Sequence, residues 1–381
     1  MYNNIVYSAD YGGCSFYRLR TQMMYIQNID RQVNIIDTRN VISDPRQYSN
    51  INHVRLQRQV STQAVGFIKD FLKPLSEKHG FWISYEVDDV ISGNDIPNYN
   101  IGKKSYMTES NDNNITSILS MMDFVTVTTD ELKDYTSSKF NCDFSKIMVI
   151  PNYLPKWWID NKFDDNSVSK RWDSNKKKRR IGIVASSSHF DMNNQNGGID
   201  DFTHILPFII ENRHKYEFVF VGGMPQQLIP YAKANEIKNA RGFDILNYPN
   251  GVSNLNLDAI IAPLHDNAFN RCKSNIKLLE NWALGIPVIC QDLPIYSKFV
   301  GKDYLFNNSD DLKKRVEWLF ADKHRYTTNV RKHYEILTKG NDLAPNGYWL
   351  ESNIKMHHDM YRLPKKTIKM DWNDGKFING D

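Results

Sequence analysis

The stretch Phe269-Asn-Arg-Cys-Lys-Ser-Asn-Ile-Lys-Leu-Leu-Glu-Asn-Trp-Ala-Leu-Gly-Ile-Pro-Val-Ile289 decides the fold. It follows an apolar strand-like run, Leu257-Asp-Ala-Ile-Ile-Ala-Pro263, and passes through a polar loop into a helical pattern that Gly285 can stop. A β-branched strand, Ile286 to Cys290, comes next. Strand, helix and strand in that order predict a parallel α/β sheet, where the loop after a strand and the first turn of the next helix face the ligand crevice. That ledge carries Asn270, Lys273, Ser274, Lys277 and Glu280. At about 100° per residue, Lys273, Lys277 and Glu280 share one narrow stripe beside a core stripe of Ile276, Leu279 and Ala283. Two ammonium groups and a carboxylate suit a ligand with phosphates and vicinal hydroxyls, such as a sugar nucleotide. The structural alternative is a solvated helix face paired at i,i+3 and i,i+4.

Outward from that stretch, strand and helix patterns alternate in two series. The first has strands at 4–9, 33–38, 81–87, 124–128 and 147–150, with helices from Ser15 to Gln27, from Ser61 to Leu75 and from Thr129. A polar, tryptophan-bearing segment follows, and the second series restarts with strands at 180–185, 216–221, 242–246, 257–262 and 286–290. From Ser309, read as a helix N-cap, the signal is helical through 310–320, 324–337 and 348–361. A chain of 381 residues exceeds one ordinary core, so these series predict two domains. The boundaries are 1–155 for an N-terminal Rossmann-like acceptor domain, 156–179 for a linker and 180–340 for a Rossmann-like donor domain. Residues 341–381 form a C-terminal helix and tail that can pack back on the first domain. Two such halves and a helical end describe the α/β GT-B arrangement, with its ligand in the cleft between them.

Composition narrows the classes further. No apolar run approaches the ~20 residues of a membrane span, and the N-terminus enters a strand without a basic n-region or cleavage site. The four cysteines, Cys14, Cys142, Cys272 and Cys290, are too widely spaced for a disulfide framework or a paired-cysteine metal site. A cytoplasmic protein is expected. The net charge is only +4, but basic residues outnumber acids between Cys14 and Gly80. That segment is either a solvated surface or a rim for an anionic acceptor such as nucleic acid. Lys176-Lys-Lys-Arg-Arg180 reads as solvated linker.

Tyr248-Pro249, the run from Leu257 to Asn270, Lys273-Ser274-Asn-Ile-Lys277-Leu-Leu-Glu280 and Gly285-Ile-Pro-Val-Ile289 resemble the donor-binding domain of GT-B glycosyltransferases. They are most similar to the retaining glycosyltransferase family four, over roughly residues 180–300. The resemblance implies that Glu280 holds the ribose hydroxyls of the nucleotide. It also exposes a departure, since Cys272 stands where that family has a second glutamate. Asn270, Lys273 and Ser274 are then the candidates for sugar and phosphate. Ile183-Val-Ala-Ser-Ser-Ser-His-Phe-Asp191 matches a small-residue turn that places Ser187, Ser188 and His189 at the diphosphate, or else caps a helix. Gly222, ending another strand, joins the donor set. Asp10-Tyr-Gly-Gly-Cys-Ser15 resembles a glycine-rich loop in which Gly12 and Gly13 admit close backbone approach or positive φ. Arg18 and Arg20 follow as candidate acceptor contacts.

Glu86-Val-Asp88-Asp89 ends a buried strand, so its carboxylates are expected to face the crevice. There Asp88 or Asp89 orients or deprotonates the acceptor hydroxyl, or else caps a helix. A metal-binding reading of this element fits the double series poorly, and no metal or tightly bound cofactor is expected. The resemblance implies a transferase using a nucleoside-diphosphate sugar, UDP-linked by preference, with retention of configuration. Lys273 and Lys277 would stabilise the leaving diphosphate. The favoured acceptor is a hydroxymethylated base in double-stranded bacteriophage DNA, flipped from its stack. The alternatives are an acceptor of surface polysaccharide synthesis, a sugar-nucleotide epimerase and a two-lobed sugar-binding protein.

Overall fold

The computed structural model describes residues 1–108, 110–159, 168, 172, 176–192 and 197–366, so most of the expected linker and the tail beyond 366 lie outside the described residues. Among these, two parallel sheets are formed. The first contains β1 (Tyr2–Tyr7), β2 (Val33–Thr38), β3 (Ile51–Gln57), β4 (Trp82–Val87), β5 (Phe124–Val127) and β6 (Ile147–Val149), ordered β2-β1-β3-β4-β5-β6. The second contains β7 (Arg180–Ala185), β8 (Glu217–Gly222), β9 (Lys238–Ala240), β10 (Ala259–Ala262), β11 (Val288–Gln291) and β12 (Leu305–Phe306), ordered β12-β11-β10-β7-β8-β9. Counted from β7, that is the 3-2-1-4-5-6 order of a dinucleotide-binding sheet, and the first sheet follows the flavodoxin-like 2-1-3-4-5 order with one more strand. Strand order reverses between β1 and β3 in one lobe and between β7 and β10 in the other. Ligand crevices form at such reversals, beyond the carboxyl ends of the strands.

The helix Ile276–Ala283 shows why the decisive stretch folds as it does. It buries Leu278, Leu279, Trp282 and Ala283, each large apolar side chain contributing about 1.5–3 kcal/mol. Trp282 stacks on His333 with ring centroids 4.8 Å apart. Gly285 ends the helix at φ +67°, a left-handed conformation that side-chain-bearing residues adopt with strain. Lys273 precedes this helix on the connecting turn, so only Lys277 and Glu280 of the expected stripe are helical.

Several elements depart from the sequence expectation. Strand β3 lies between β1 and β4 with every residue buried, yet His53, Arg55 and Gln57 interrupt its apolar pattern. Buried partners engage part of each: His53 Nε2 lies 2.6 Å from Ser84 Oγ, and Arg55 Nη2 lies 2.5 Å from Glu86 Oε2. The helix Asn111–Ser120 was equally unmarked, because only Ile115, Ile118 and Leu119 give it an apolar face. Residues 242–246, expected as a strand, are loop and turn; the short edge strand β9 precedes them, and its three residues are not buried. Asn308, rather than Ser309, caps the helix Ser309–Phe320, accepting from the Asp311 N–H at 2.9 Å.

The lobes are joined by two adjacent crossings. Leu154 N–H donates to Tyr348 O and Leu350 N–H to Leu154 O, both at 2.9 Å. The helix Leu350–Tyr361 then lies on the first lobe, where Asn4 Nδ2 donates to Tyr361 O at 3.1 Å. Beyond it, Trp82 Nε1 donates to Pro364 O at 2.8 Å and Lys366 pairs with Asp123 at 2.7 Å. No described helix is long and apolar enough to cross a membrane.

Candidate active site

The loops beyond β1, β4, β7 and β10 converge between the lobes, and the expected site residues meet there in three groups. At one end, Glu280 is 6% exposed and accepts hydrogen bonds on both oxygens. Tyr17 of the first lobe donates to Oε1, and Tyr248 donates to Oε2 at 3.0 Å. Lys277 Nζ stands 3.8 Å from Oε2. Burial, reinforced by the Glu280 carboxylate, pushes both tyrosine pKa values well up, so the phenols stay donors. Tyr17 sits in the π-helical turn Phe16–Arg20, within a continuous helix over residues 13–29. Trp158 packs edge-on to Tyr17 and stacks on Tyr248, closing this end with aromatic rings.

The middle group crosses the cleft directly. Lys273 Nζ lies 3.4 Å from Asp89 Oδ2 and 4.3 Å above the Phe269 ring. Asn152 Nδ2 donates to Ser274 Oγ at 2.8 Å. Asp88 pairs with Arg58; burial raises the Asp88 pKa, the arginine offsetting only part of that effect. Cys272 is buried against first-lobe residues, its carbonyl accepting from Thr129 Oγ1 at 3.2 Å. Burial pushes its thiol up to about 12, so it supplies no anionic replacement for a glutamate.

The third group is built on Asp201, which the sequence did not mark. His189 Nδ1 lies 2.6 Å from Asp201 Oδ2. Asp201 Oδ1 accepts from Tyr99 OH at 2.7 Å, Asn270 Nδ2 at 2.7 Å and the His265 N–H at 2.8 Å. Burial alone would raise the Asp201 pKa, but the bonds from His189, His265 and Tyr99 outweigh it and hold the carboxyl below its usual range. Ser187 and Ser188 share the 3-10 turn Ser187–His189 and are partly buried. Gly222 has φ +93°, and a Cβ there would stand 2.6 Å from Ala185 O, so close strand packing requires this glycine.

Other expected positions serve differently. Arg18 is 1% exposed and cannot reach an acceptor, because its Nε binds Glu86 Oε1 at 2.6 Å and its Nη1 binds Ile150 O at 2.6 Å. Glu86 therefore lies beneath the crevice between Arg18 and Arg55; burial opposes its charge, yet the two guanidiniums draw its pKa down. Arg20 stays on the surface, 3.5 Å from Asp37 and over the exposed Tyr11 ring, which Arg39 also faces. Neither Gly12 nor Gly13 has positive φ, and a Cβ at either would meet nothing closer than 3.7 Å. Asp10 shapes that loop instead, its Oδ1 accepting from the Gly12 N–H at 2.8 Å. No cluster of metal-binding side chains occurs among the described residues.

Tyr17, Tyr99, Arg58 and Asp201 are thus the site residues that sequence reading missed. Each is recruited by contacts distant in the chain, and no local motif marks them; Tyr248 was visible only inside the quoted resemblance.

No protein-family model matches this sequence, and no curated protein matches it. Solved structures match its fold. A glycosyltransferase from Rickettsia africae superposes with a TM-score of 0.57 at 12% identity, over 95% of this chain and 98% of that one. HepE from Anabaena in complex with UDP superposes with a TM-score of 0.63 at 11% identity, over 94% of this chain and 99% of that one. The same Anabaena protein in complex with UDP-glucose gives 0.60 at 11% identity, over 94% and 98%. The likeness runs through both lobes and the crossing between them. The chain has the GT-B fold.

Proposed function

We propose that the protein is a glycosyltransferase that moves a sugar from a nucleoside-diphosphate sugar to an acceptor hydroxyl. The observation that carries this is the placement of Lys273, Lys277 and Glu280 beyond β10, at the reversal of a dinucleotide-type sheet and opposite Asp89 and Tyr17 of the other lobe. Glu280 accepts two hydroxyl hydrogen bonds from tyrosines, and a ribose diol would take their place. Lys273 and Lys277 balance the charge that grows on the departing diphosphate. Since Tyr17 and Asp89 belong to the first lobe, donor entry requires the lobes to part, and closure afterwards excludes water. UDP is the favoured nucleotide, because HepE is seen with UDP and UDP-glucose.

Retention of configuration rests on the resemblance to family four. For the acceptor we favour a hydroxymethylated base in double-stranded phage DNA, modified in the cytoplasm. Its support is cationic: Arg20 and Arg39 flank Tyr11 on the first lobe, and Lys103 and Lys104 line an interlobe pocket of about 240 Å³ together with Tyr99, Met107 and Met192. The test is incubation with a panel of nucleotide sugars, with and without hydroxymethylated duplex DNA. Nucleoside diphosphate released only when DNA is present is the expected result. Release with a polysaccharide acceptor but not with DNA would redirect the acceptor. A free isomerised sugar nucleotide would indicate an epimerase, and binding without turnover a sugar-binding protein.

A further inference from the structure

Cys272 leaves this donor site without the glutamate that the resemblance to family four would place there, yet the Asp201 cluster holds two hydrogen-bond acceptors with no partner among the described residues. Asn270 is 0% exposed, and its Oδ1 has no partner. The amide orientation follows from its surroundings: Nδ2 faces the Asp201 carboxylate, His265 O at 2.8 Å and Tyr99 OH at 3.0 Å. The carboxylate and the carbonyl can only accept, so the unpaired atom is the oxygen. The second acceptor is His189 Nε2. The Asp201 carboxylate only accepts, which places a ring hydrogen on the facing Nδ1 and leaves Nε2 as the ring nitrogen open to a ligand. That nitrogen makes no hydrogen bond within the described chain, and the ring remains 23% exposed. A buried unpaired acceptor is costly unless a ligand supplies its donor.

We propose that Asn270 Oδ1 and His189 Nε2 read hydroxyl groups of the transferred sugar, with Asp201 as the positioning residue that orients both. This rests on the glycosyltransferase reading and narrows its substrate to a sugar with free hydroxyls facing this corner, against a deoxy sugar. Tyr99 comes from the first lobe, so its bond to Asp201 completes the arrangement only with the lobes closed.

The probes are UDP alone and a panel of UDP-hexoses with their deoxy analogues, measured by calorimetry on the full chain. The wild type is expected to bind at least one UDP-hexose roughly tenfold to a hundredfold more tightly than UDP or the matching deoxy analogue. His189→Gln and Asp201→Asn are expected to lose that increment, the ratio of UDP-hexose to UDP affinity falling toward one. Tyr99→Phe, which keeps the ring, is expected to lose part of it. Imidazole nitrogen NMR without ligand is expected to show the Nδ1–H tautomer at His189 in the wild type and a mixture in Asp201→Asn. Equal losses for UDP and UDP-hexose, no hexose bound better than UDP, or a tautomer indifferent to Asp201→Asn would each overturn the inference. Failure of UDP and of every other nucleotide to bind, with the tautomer as expected, would instead sink the donor reading and this inference with it.

Discussion

The two lobes bring similar residue types to the same cleft and spend them differently. In the first lobe, Arg18, Arg55 and Glu86 lie at 1%, 1% and 0% exposure, joined in one buried ion cluster beneath the crevice. In the second, Lys273, Lys277 and His189 keep 22–25% of their side chains exposed. Charges in the first lobe are neutralised internally and hold strand ends together. Those in the second are only partly engaged, and a ligand can replace their partners. Position at a strand's carboxyl end is therefore not enough to make a charged residue functional; what matters is whether its partners come from its own core.

The largest expected effect breaks the first-lobe side of this contrast. Glu86→Gln leaves two buried guanidiniums without their counter-charge and should cost about 3–5 kcal/mol of stability in urea unfolding. A loss below about 1 kcal/mol would mean that the cluster is solvated. On the second-lobe side, Glu280→Ala should raise the donor KM by roughly a hundredfold in a folded variant, as expected when a carboxylate loses two hydroxyl partners. Unchanged donor kinetics would remove the ribose assignment.

Acid should affect both lobes alike. Burial, aided by Arg55, lowers the pKa of His53 to about 3, and burial, aided by Lys332, lowers that of His333 to about 3. Both folded values lie below the unfolded value near 6.5, so the unfolded chain binds more protons in between. Their contribution is complete above about pH 6.5 and is lost as pH falls toward 3, at up to ~1.4 kcal/mol per pH unit for each histidine. Urea midpoints at pH 7, 6 and 5 should fall accordingly, and a His333→Gln variant that still folds should flatten the slope.

Two smaller effects sharpen the comparison. Tyr17→Phe removes the first-lobe competitor for a Glu280 oxygen, and the donor KM should fall by about threefold to tenfold; a rise would show that Tyr17 contacts the nucleotide itself. Gly12→Ala should change stability by less than about 0.5 kcal/mol, because its φ is ordinary and the space beside it is open. A larger loss would restore the glycine to a special backbone role.

Much of the architecture was legible in the sequence because the parallel strands are short apolar runs, and Gly285 stops its helix visibly. Strand β3 was not, because pattern reading takes His53, Arg55 and Gln57 for solvated positions. Only the neighbouring strand supplies Ser84 and Glu86, and the first turn of the first helix supplies Ser15, whose hydroxyl donates to Gln57 Oε1 at 2.6 Å. The donor ledge was legible for the opposite reason: Lys273 through Glu280 are neighbours in the chain, so their grouping follows from helix and turn geometry alone.

The sequence by itself determined two α/β lobes and the Lys273–Glu280 ledge, since local periodicity and short-range spacing specify both. Only the tertiary structure decided that Arg18 is core rather than acceptor contact, that Asp89 meets Lys273, and that Tyr17 and Tyr99 reach across to Glu280 and Asp201. Those contacts join residues up to 263 positions apart. A side chain's partner at that distance is chosen by how the two lobes pack, which no local pattern records.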